Sequence, residues 1–269
     1  MTIIAFVGAG KMAEAIISKL DLPSNIMAAD VSKRRLGYLK KKYKIGLAKD
    51  NQEAFAKGEI VVLAVKPQGV GVVVAELAPQ LGKTKQVLPL LVSIVAGIPL
   101  GYLRKKLPGL PIIRAMPNNP CLVGMGITAL AKDNLVSGRQ YKKVEAIFKA
   151  VGKVIGVPEK WMDAVTGLSG SGPAFVYETI DALIGGGVAA GLPRAIATKL
   201  AVQTVLGAAT TVKKTGKSPK ELREMVASKG GTTVEGLKII KKARVKQALS
   251  RAVVAAANKS KIISKKWTS

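Results

Sequence analysis

Short apolar runs alternate with helix-like stretches through the first part of the chain. The apolar run 3–7 predicts a buried strand, Gly8-Ala9-Gly10 a tight turn, and the alanine-rich segment after it a helix from Lys11. Further strands are predicted over 25–30, 44–48, 59–65, 86–94 and 111–116, with a short helix over 51–57. Strands that alternate with helices up to about Gly156 predict a doubly wound α/β sheet.

The opening strand, turn and helix have the pattern of a dinucleotide-binding unit. Glycine lets the backbone approach a pyrophosphate closely, and the unpaired amides at a helix N-terminus attract the anion. Ala13 takes the third small position of the G-x-G-x-x-G/A pattern, where helix packs on strand. We therefore expect a Rossmann-type domain at the start of the chain.

The residues after the second predicted strand give conflicting signals about the cofactor. Asp30 ends that strand about twenty residues beyond the glycines, where a carboxylate hydrogen-bonds the ribose 2′-hydroxyl of NAD. Ser32 and the basic residues 33–35 follow at once, and they favour the 2′-phosphate of NADP. Lys66 follows the strand over 59–65, and this places it beside the cofactor. NADPH and NADH both remain open.

From Trp161 onward the pattern becomes helical. Alanine- and leucine-rich helices are predicted over 179–190, 195–211, 219–227 and 233–257, separated by turns with glycine or proline. We predict a dinucleotide-binding domain over 1–158 and an all-helical domain over 159–269. The small residues permit close approach of helices and predict a shared dimer core, with a monomeric bundle as the alternative.

The amino-acid composition excludes several kinds of covalent, metal and acid–base chemistry. Cys121 is the only cysteine and there is no histidine, so an intrachain disulfide, histidine metal sites and histidine acid–base catalysis are excluded. No metal site is predicted. A single cysteine, interpreted as a packed residue, favours a cytoplasmic protein. The N-terminus lacks the pattern of a signal peptide. Proline and glycine interrupt the uncharged run 87–103, which predicts a strand and loop rather than a membrane span.

The net charge of +27, from 43 basic and 16 acidic residues, is the unusual feature of the composition. Such a field attracts anions, including phosphorylated cofactors, carboxylate substrates and nucleic acid. Only 4% of the residues are aromatic, and few are therefore available to stack on bases. We favour a lysine-rich solvated surface and keep a basic nucleic-acid-binding protein as the alternative.

Two glycine-rich stretches in the helical half are candidates for substrate binding. They cover 166–174 and 228–234. The second precedes a predicted helix, so its amides form an anion site of a size that suits a carboxylate. Thr232 or Thr233 is expected to cap that helix.

Six motifs in order along nearly the whole chain resemble Δ1-pyrroline-5-carboxylate reductase, the last enzyme of proline biosynthesis. They are Gly8-Ala9-Gly10-Lys11-Met12-Ala13, Ala64-Val65-Lys66-Pro67, Ser93-Ile94-Val95-Ala96-Gly97, Ile113-Arg114-Ala115-Met116-Pro117-Asn118, Ser169-Gly170-Ser171-Gly172-Pro173-Ala174-Phe175 and Gly230-Gly231-Thr232-Thr233. The last two are specific, whereas many reductases share the first.

The resemblance implies roles for individual residues. The cofactor would be bound by Gly8, Ala9, Gly10, Lys11 and Met12 at the pyrophosphate, Asp30, Ser32 and Asn51 near the adenosine ribose, and Val65, Lys66 and Ala96 along the rest. The substrate carboxylate would lie on Ser228, Gly231 and Thr232, with Thr166 at the pocket edge and the Thr233 hydroxyl on the ring nitrogen as the catalytic contact. The family commonly has proline where this chain has Lys229. The resemblance also implies homodimers that form through the helical domain and assemble into a decamer.

The chemistry of the residues agrees with an imine substrate. Reducing a ketone needs an acid or cation at the developing alkoxide, whereas a protonated cyclic imine accepts hydride directly. In β-hydroxyacid dehydrogenases a similar glycine motif is followed by a catalytic lysine and asparagine. The corresponding positions here are Val176 and Thr179. We therefore predict NAD(P)H-dependent reduction of 1-pyrroline-5-carboxylate, with another cyclic-imine or keto-acid reductase as the alternative.

Overall fold

The computed structural model describes residues 2–81 and 88–267. Within them the strands are β1 Ile4–Val7, β2 Ile26–Ala29, β3 Gly46–Leu47, β4 Ile60–Leu63, β5 Leu90–Ser93, β6 Ile112–Met116, β7 Gly126–Lys132 and β8 Gly152–Gly156. The α-helices are α1 Lys11–Ile17, α2 Lys33–Tyr43, α3 Asn51–Lys57, α4 Val70–Leu77, α5 Leu100–Lys106, α6 Gly138–Lys149, α7 Met162–Val165, α8 Gly172–Ala189, α9 Arg194–Thr215, α10 Pro219–Val226, α11 Thr232–Lys242 and α12 Val245–Lys265. Part of the strand predicted over 86–94 lies outside the described residues.

The described strands form one sheet in the order β3-β2-β1-β4-β5-β6-β7-β8. Its strands pair in parallel except β6 and β7, which are antiparallel. Residues 117–125 join those two strands and are too few for a helical crossover, so the chain turns back on itself. The sequence pattern did not reveal this reversal.

Both faces of the sheet are covered by helices, which confirms the doubly wound fold. Alternate residues of each central strand point to opposite faces, since side chains alternate along a strand. Phe6 and Val62 belong to one buried cluster, which α1, α2 and α6 complete. Val7 and Leu63 belong to the other, which α3, α4 and α5 complete. Cys121 is fully buried, and burial raises the pKa of its thiol, as fits a packed residue.

The chain divides into two compact units. The first, the sheet unit, comprises Met1–Ser171 with Val254–Ser269, and the second, the helical unit, is Gly172–Val253. The end of α12, from Val254 onward, therefore belongs to the sheet unit together with the first part of the chain. The predicted domain boundary at 158/159 stays a prediction.

Two helix limits in the second half differ from the sequence prediction. α8 begins at Gly172, although the glycine-rich segment before Thr179 gave no helical signal. The stretch predicted as one helix over 233–257 is two, α11 and α12, because Arg244 adopts a left-handed conformation with φ 52°. Arg244 is neither glycine nor proline, so the sequence carries no sign of this break.

Among the described residues, α9 is the one helix long and apolar enough to cross a membrane. Only 11% of its apolar window is buried within the chain. A helix that is apolar on most of its surface is also typical of one that another protein surface covers.

Candidate functional site

The turn after β1 needs glycine for two different reasons. Gly8 has φ +99°, and a Cβ there would lie 2.7 Å from the backbone carbonyl carbon of Ala64. Its amide donates to Ala29 O at 2.8 Å, which ties the turn to β2. A Cβ on Gly10, the N-cap of α1, would meet no protein atom within 4 Å. Gly8 is therefore required by the fold, whereas Gly10 leaves the start of α1 open to a ligand.

The Asp30 carboxylate joins the glycine turn to the start of α2. Its Oδ2 accepts from the Ala9 amide at 2.7 Å, and its Oδ1 accepts from the Ser32 amide at 2.8 Å. Ser32 in turn caps α2 by accepting from the Arg35 amide at 3.2 Å. The structure thus brings Ala9, Asp30 and Ser32 together as the resemblance implies, although a ribose contact of Asp30 stays a prediction.

Two adjoining cavities share Asp30. One, of about 410 Å³, includes Lys49, Asn51 and Glu76 in its wall, and Asn51 donates its side-chain amide to Glu76 Oε2 at 2.8 Å. The other, of about 690 Å³, is lined by Ala9, Gly10, Lys11, Asp30, Ser32, Arg34, Arg35 and Tyr38. The second cavity is basic and lies at the opening of the glycine turn, where a phosphorylated ligand is favoured.

Val65, Lys66 and Ala96 follow the carboxyl ends of β4 and β5. β4 pairs with β1 and β5 pairs with β4, all in parallel, so the three residues share the sheet edge with Gly8–Met12 and Asp30. Lys66 is exposed, whereas Val65 and Ala96 are half-buried. Ligands of doubly wound sheets bind at this edge. All residues predicted for the cofactor therefore belong to one side of the sheet unit.

The end of α12 supports this edge, which sequence reasoning missed. Gly97 has φ +77°, and a Cβ there would lie 2.5 Å from Ile263 Cγ2. Ser260 and Ser264 both donate to Asp163 Oδ1, at 2.6 and 3.1 Å, which anchors the helix. The contact of Gly97 with Ile263 joins residues more than 160 positions apart, so no local sequence pattern indicates it.

Thr166 lies on a π-helical turn, Thr166–Gly170. The Ser171 amide donates to Thr166 O at 2.8 Å, and the Thr166 hydroxyl donates to Met162 O at 2.8 Å. The buried Asn118 donates its side-chain amide to Ser169 O at 3.1 Å and so holds the turn against the end of β6. Turns of this kind are frequent at functional sites, because the extra residue redirects the backbone.

The loop before α11, in the helical unit, carries the other residues assigned to the substrate. Gly230 has φ +74°, which favours glycine, and a Cβ on Gly231 would lie 2.5 Å from Ser228 Oγ and 3.2 Å from Ser228 O. The expected capping by Thr232 or Thr233 is wrong: Gly231 is the N-cap, without a side-chain cap. Both threonines are instead exposed in the first turn, beside the amides at its N-terminus.

Glu14, in the first turn of α1 after the glycine turn, is a further residue that sequence reasoning missed. It accepts hydrogen bonds from Arg35, Tyr38, Lys42 and Tyr43, all on α2. Burial alone would raise the pKa of the Glu14 carboxyl, but these four hydrogen bonds outweigh it and lower the pKa to about 2. A carboxylate in the first turn of a helix was the available signal.

Among the described residues no three His, Cys, Asp or Glu side chains gather as a metal site.

Comparison with known proteins identifies the family. Residues 159–263 match the family model for pyrroline-5-carboxylate reductase dimerisation, and residues 3–97 match that for NADP oxidoreductase, coenzyme F420-dependent. A pyrroline-5-carboxylate reductase of Synechocystis sp. is 46% identical over 268 residues, 98% of each chain.

Two similar solved structures are also pyrroline-5-carboxylate reductases. A pyrroline-5-carboxylate reductase from Coxiella burnetii is 35% identical, with a TM-score of 0.88 over 98% of both chains. Pyrroline carboxylate reductase of Plasmodium falciparum, solved with NADP bound, is 33% identical, with a TM-score of 0.88 over 98% of both chains. The chain therefore belongs to the family of NAD(P)H-dependent pyrroline-5-carboxylate reductases.

Proposed function

We propose that the sheet unit binds NADPH or NADH at the carboxyl edge of its strands and that the loop before α11 binds 1-pyrroline-5-carboxylate, which is reduced to L-proline. The observation that carries the cofactor site is the open space at Gly10. A Cβ there meets no protein atom, beside a cavity lined by Lys11 and Arg34. Close backbone approach, helix amides and nearby cations fit a pyrophosphate.

The choice between cofactors is proposed to depend on the start of α2. Arg35 is bonded to the turn and to Glu14, whereas Lys33 and Arg34 are exposed and suit a 2′-phosphate. Replacing both Lys33 and Arg34 with alanine should raise the KM for NADPH far more than that for NADH. Equal effects on the two would leave Asp30 as the main determinant.

Substrate binding is assigned to Ser228, Gly231, Thr232 and Thr233, with Thr166 at the pocket edge. The amides at the N-terminus of α11 and the Ser228 hydroxyl suit the substrate carboxylate. Lys229, in place of the family's proline, adds a positive charge beside them and removes a constraint on the loop.

The reaction needs little acid–base chemistry from the chain. The Thr233 hydroxyl would accept a hydrogen bond from the protonated imine nitrogen and so orient the ring. When bound, the reduced nicotinamide supplies the hydride. Hydride adds to the imine carbon, the π electrons of the C=N bond pass to nitrogen, and the resulting amine takes a proton from water. Thr233 thereby positions the imine without changing its own protonation.

The assembly is proposed to be a homodimer through the helical unit, with a decamer as the larger form. Large apolar side chains on α9, among them Leu200 and Leu206, are about half exposed in the single chain, at 54% and 49%. Covering them requires another surface, and a second copy provides it. We place the enzyme in the cytoplasm, where a lone buried thiol such as that of Cys121 is ordinary.

An assay of the purified protein tests this function. NADH and NADPH oxidation are followed separately with 1-pyrroline-5-carboxylate, and proline is identified as the product. Oxidation with at least one cofactor is expected, and none with either in folded protein would refute the proposal. Faster turnover of another cyclic imine or a keto acid would instead assign that substrate. Tight duplex binding at physiological salt without cofactor binding would favour a nucleic-acid-binding protein.

A further inference from the structure

The Arg35 side chain contacts two backbone carbonyls of the glycine turn, Gly8-Ala9-Gly10. Its Nε donates to Ala9 O at 2.6 Å, and its Nη2 lies 3.4 Å from Gly10 O. Gly10 O also accepts the first intrahelical bond of α1, from the Glu14 amide at 3.0 Å. The guanidinium therefore binds the two carbonyls that immediately precede the open amides of α1.

Asp30 binds the backbone amide of Ala9. The Ala9 N–H donates to Asp30 Oδ2 at 2.7 Å while its carbonyl accepts from Arg35. Both polar groups of the residue between the two glycines are thus bonded to side chains from the segment after β2. This double contact fixes the peptide planes of a turn whose glycines would otherwise allow many conformations.

Glu14 in turn holds Arg35. Its side chain is only 11% exposed and forms an ion pair with the Arg35 guanidinium. The hydroxyls of Tyr38 and Tyr43 each donate to Glu14 Oε1 at 2.9 Å, and Lys42 Nζ does so at 3.3 Å. Arg35 is 22% exposed at its side chain and also lies 5.0 Å from the centre of the Tyr38 ring. With Glu14 charged and enclosed, Arg35 has one preferred position.

We propose that Glu14 is a positioning residue for cofactor binding, which acts through Arg35 to fix the Ala9 and Gly10 carbonyls and so direct the amides at the start of α1 toward the pyrophosphate. The inference rests on the proposed function, because it assigns the pyrophosphate to this turn. Glu14 touches neither substrate nor cofactor in this account. Its effect is on affinity for both NADH and NADPH, since they share the pyrophosphate.

A double-mutant cycle tests this path. Glu14→Gln, Arg35→Gln and the double variant are compared by equilibrium binding of NADH and NADPH and by kcat at saturating cofactor. Each single change should raise both dissociation constants about tenfold, with kcat falling much less. The dissociation constants of the double variant should not exceed those of the single variant that binds cofactor more weakly, because both changes break the same path. Glu145→Gln, which removes an i,i+4 pair with Lys149 on α6, is the matched control and should bind as the unaltered protein does.

The outcomes separate this inference from the function itself. Unchanged dissociation constants in folded Glu14→Gln, or additive losses in the double variant, would overturn it even if the native protein reduces the substrate. A native protein that binds neither cofactor would instead refute the proposed function. Should Glu14→Gln fail to fold, Tyr43→Phe removes one hydrogen bond to Glu14 and keeps the charge. A rise of two-fold or more in both constants, about 0.4 kcal/mol, supports the path, and no rise contradicts it.

Discussion

The sheet unit buries two large apolar clusters within the chain, whereas the helical unit buries one small cluster and exposes many of its large apolar side chains. Phe6, Leu63 and Phe148 are fully buried in the first unit. The buried cluster of the second consists of Ile184, Ala197 and Ala201, while Leu200 and Leu206 on the same helix α9 remain exposed. The sheet unit has a complete core within one chain, and the helical unit requires a further surface to complete its own.

Two carboxylates, Glu14 in the sheet unit and Asp181 in the helical unit, lie in contrasting surroundings. In the sheet unit Glu14 is enclosed by four donors. In the helical unit the ion pair of Arg194 with Asp181 is exposed at 71% and 74% of the two side chains. The proposed cofactor site is thus built from contacts within one chain, while the loop proposed for the substrate lies in a unit with many exposed apolar side chains. This contrast predicts that the two functions can be damaged separately.

The largest effect is expected from charging the exposed face of α9. Leu200→Glu combined with Leu206→Glu should prevent dimer formation and lower kcat/KM for the imine by about 100-fold or more, because buried unpaired charges are costly. NADH affinity should stay within about two-fold, since the proposed cofactor site lies in the other unit. Light scattering with size exclusion, steady-state kinetics and NADH titration measure the three quantities.

The matched control for that change places the same charges at Lys213 and Lys214, near the end of the same helix. Lys213→Glu with Lys214→Glu should leave the oligomer intact, as both positions already carry charge. A dimeric, active Leu200→Glu, Leu206→Glu protein would show that this face is solvent-exposed in the native enzyme and would break the contrast between the units.

The two glycines of the first turn should respond differently to alanine. Gly8→Ala should lower the free energy of unfolding by about 3 kcal/mol, because the positive φ and the Ala64 backbone both oppose a Cβ. Gly10→Ala should cost about 1 kcal/mol or less, as an N-cap change, yet raise the NADH dissociation constant at least about tenfold. Chemical denaturation and NADH titration of both variants check this, and equal behaviour of the two would contradict it.

The enclosed Glu14 carboxylate should make the free energy of unfolding depend on pH. Because the pKa of Glu14 falls from 4.5 to about 2 on folding, its contribution is complete above pH 4.5 and is lost as the pH falls toward 2. Glu14→Gln should therefore lower the free energy of unfolding by on the order of 2 kcal/mol at pH 6 and by much less near pH 2.5.

Denaturant titrations at both pH values measure that difference. Asp181→Asn, which removes the exposed pair with Arg194, is the control and should change stability by less than about 0.5 kcal/mol. A Glu14→Gln effect of the same size at both pH values would mean that the carboxylate is not stabilised by its four donors.

Local patterns in the sequence predicted much of the sheet unit. The helix over 51–57 and the strand, turn and helix at Gly8 depend on nearby residues, and the structure confirms them. The placement of Lys66 at the carboxyl end of its strand follows from the parallel sheet. Each of these rests on periodicity or turn chemistry, which a linear sequence carries.

Contacts between distant segments were not predictable in this way. The bond from Arg35 to Ala9 and the contact of Ile263 with Gly97 join separate parts of the chain, so each residue alone looks ordinary. The left-handed Arg244 has no glycine or proline to mark it. In the loop before α11, Gly231 rather than a threonine is the N-cap, and its amide donates to Ser228 O at 3.0 Å.

The most direct test of the division between the units is the kinetics of Thr233→Ala. The change should lower kcat/KM for 1-pyrroline-5-carboxylate about tenfold, the value of one hydrogen bond, and leave the NADH dissociation constant within two-fold. Thr233→Ser should restore most of the loss, and Thr211→Ala, an exposed threonine of α9, should have no effect. Unchanged kinetics in Thr233→Ala, or an equal loss of NADH affinity, would contradict the assignment of substrate and cofactor to separate units.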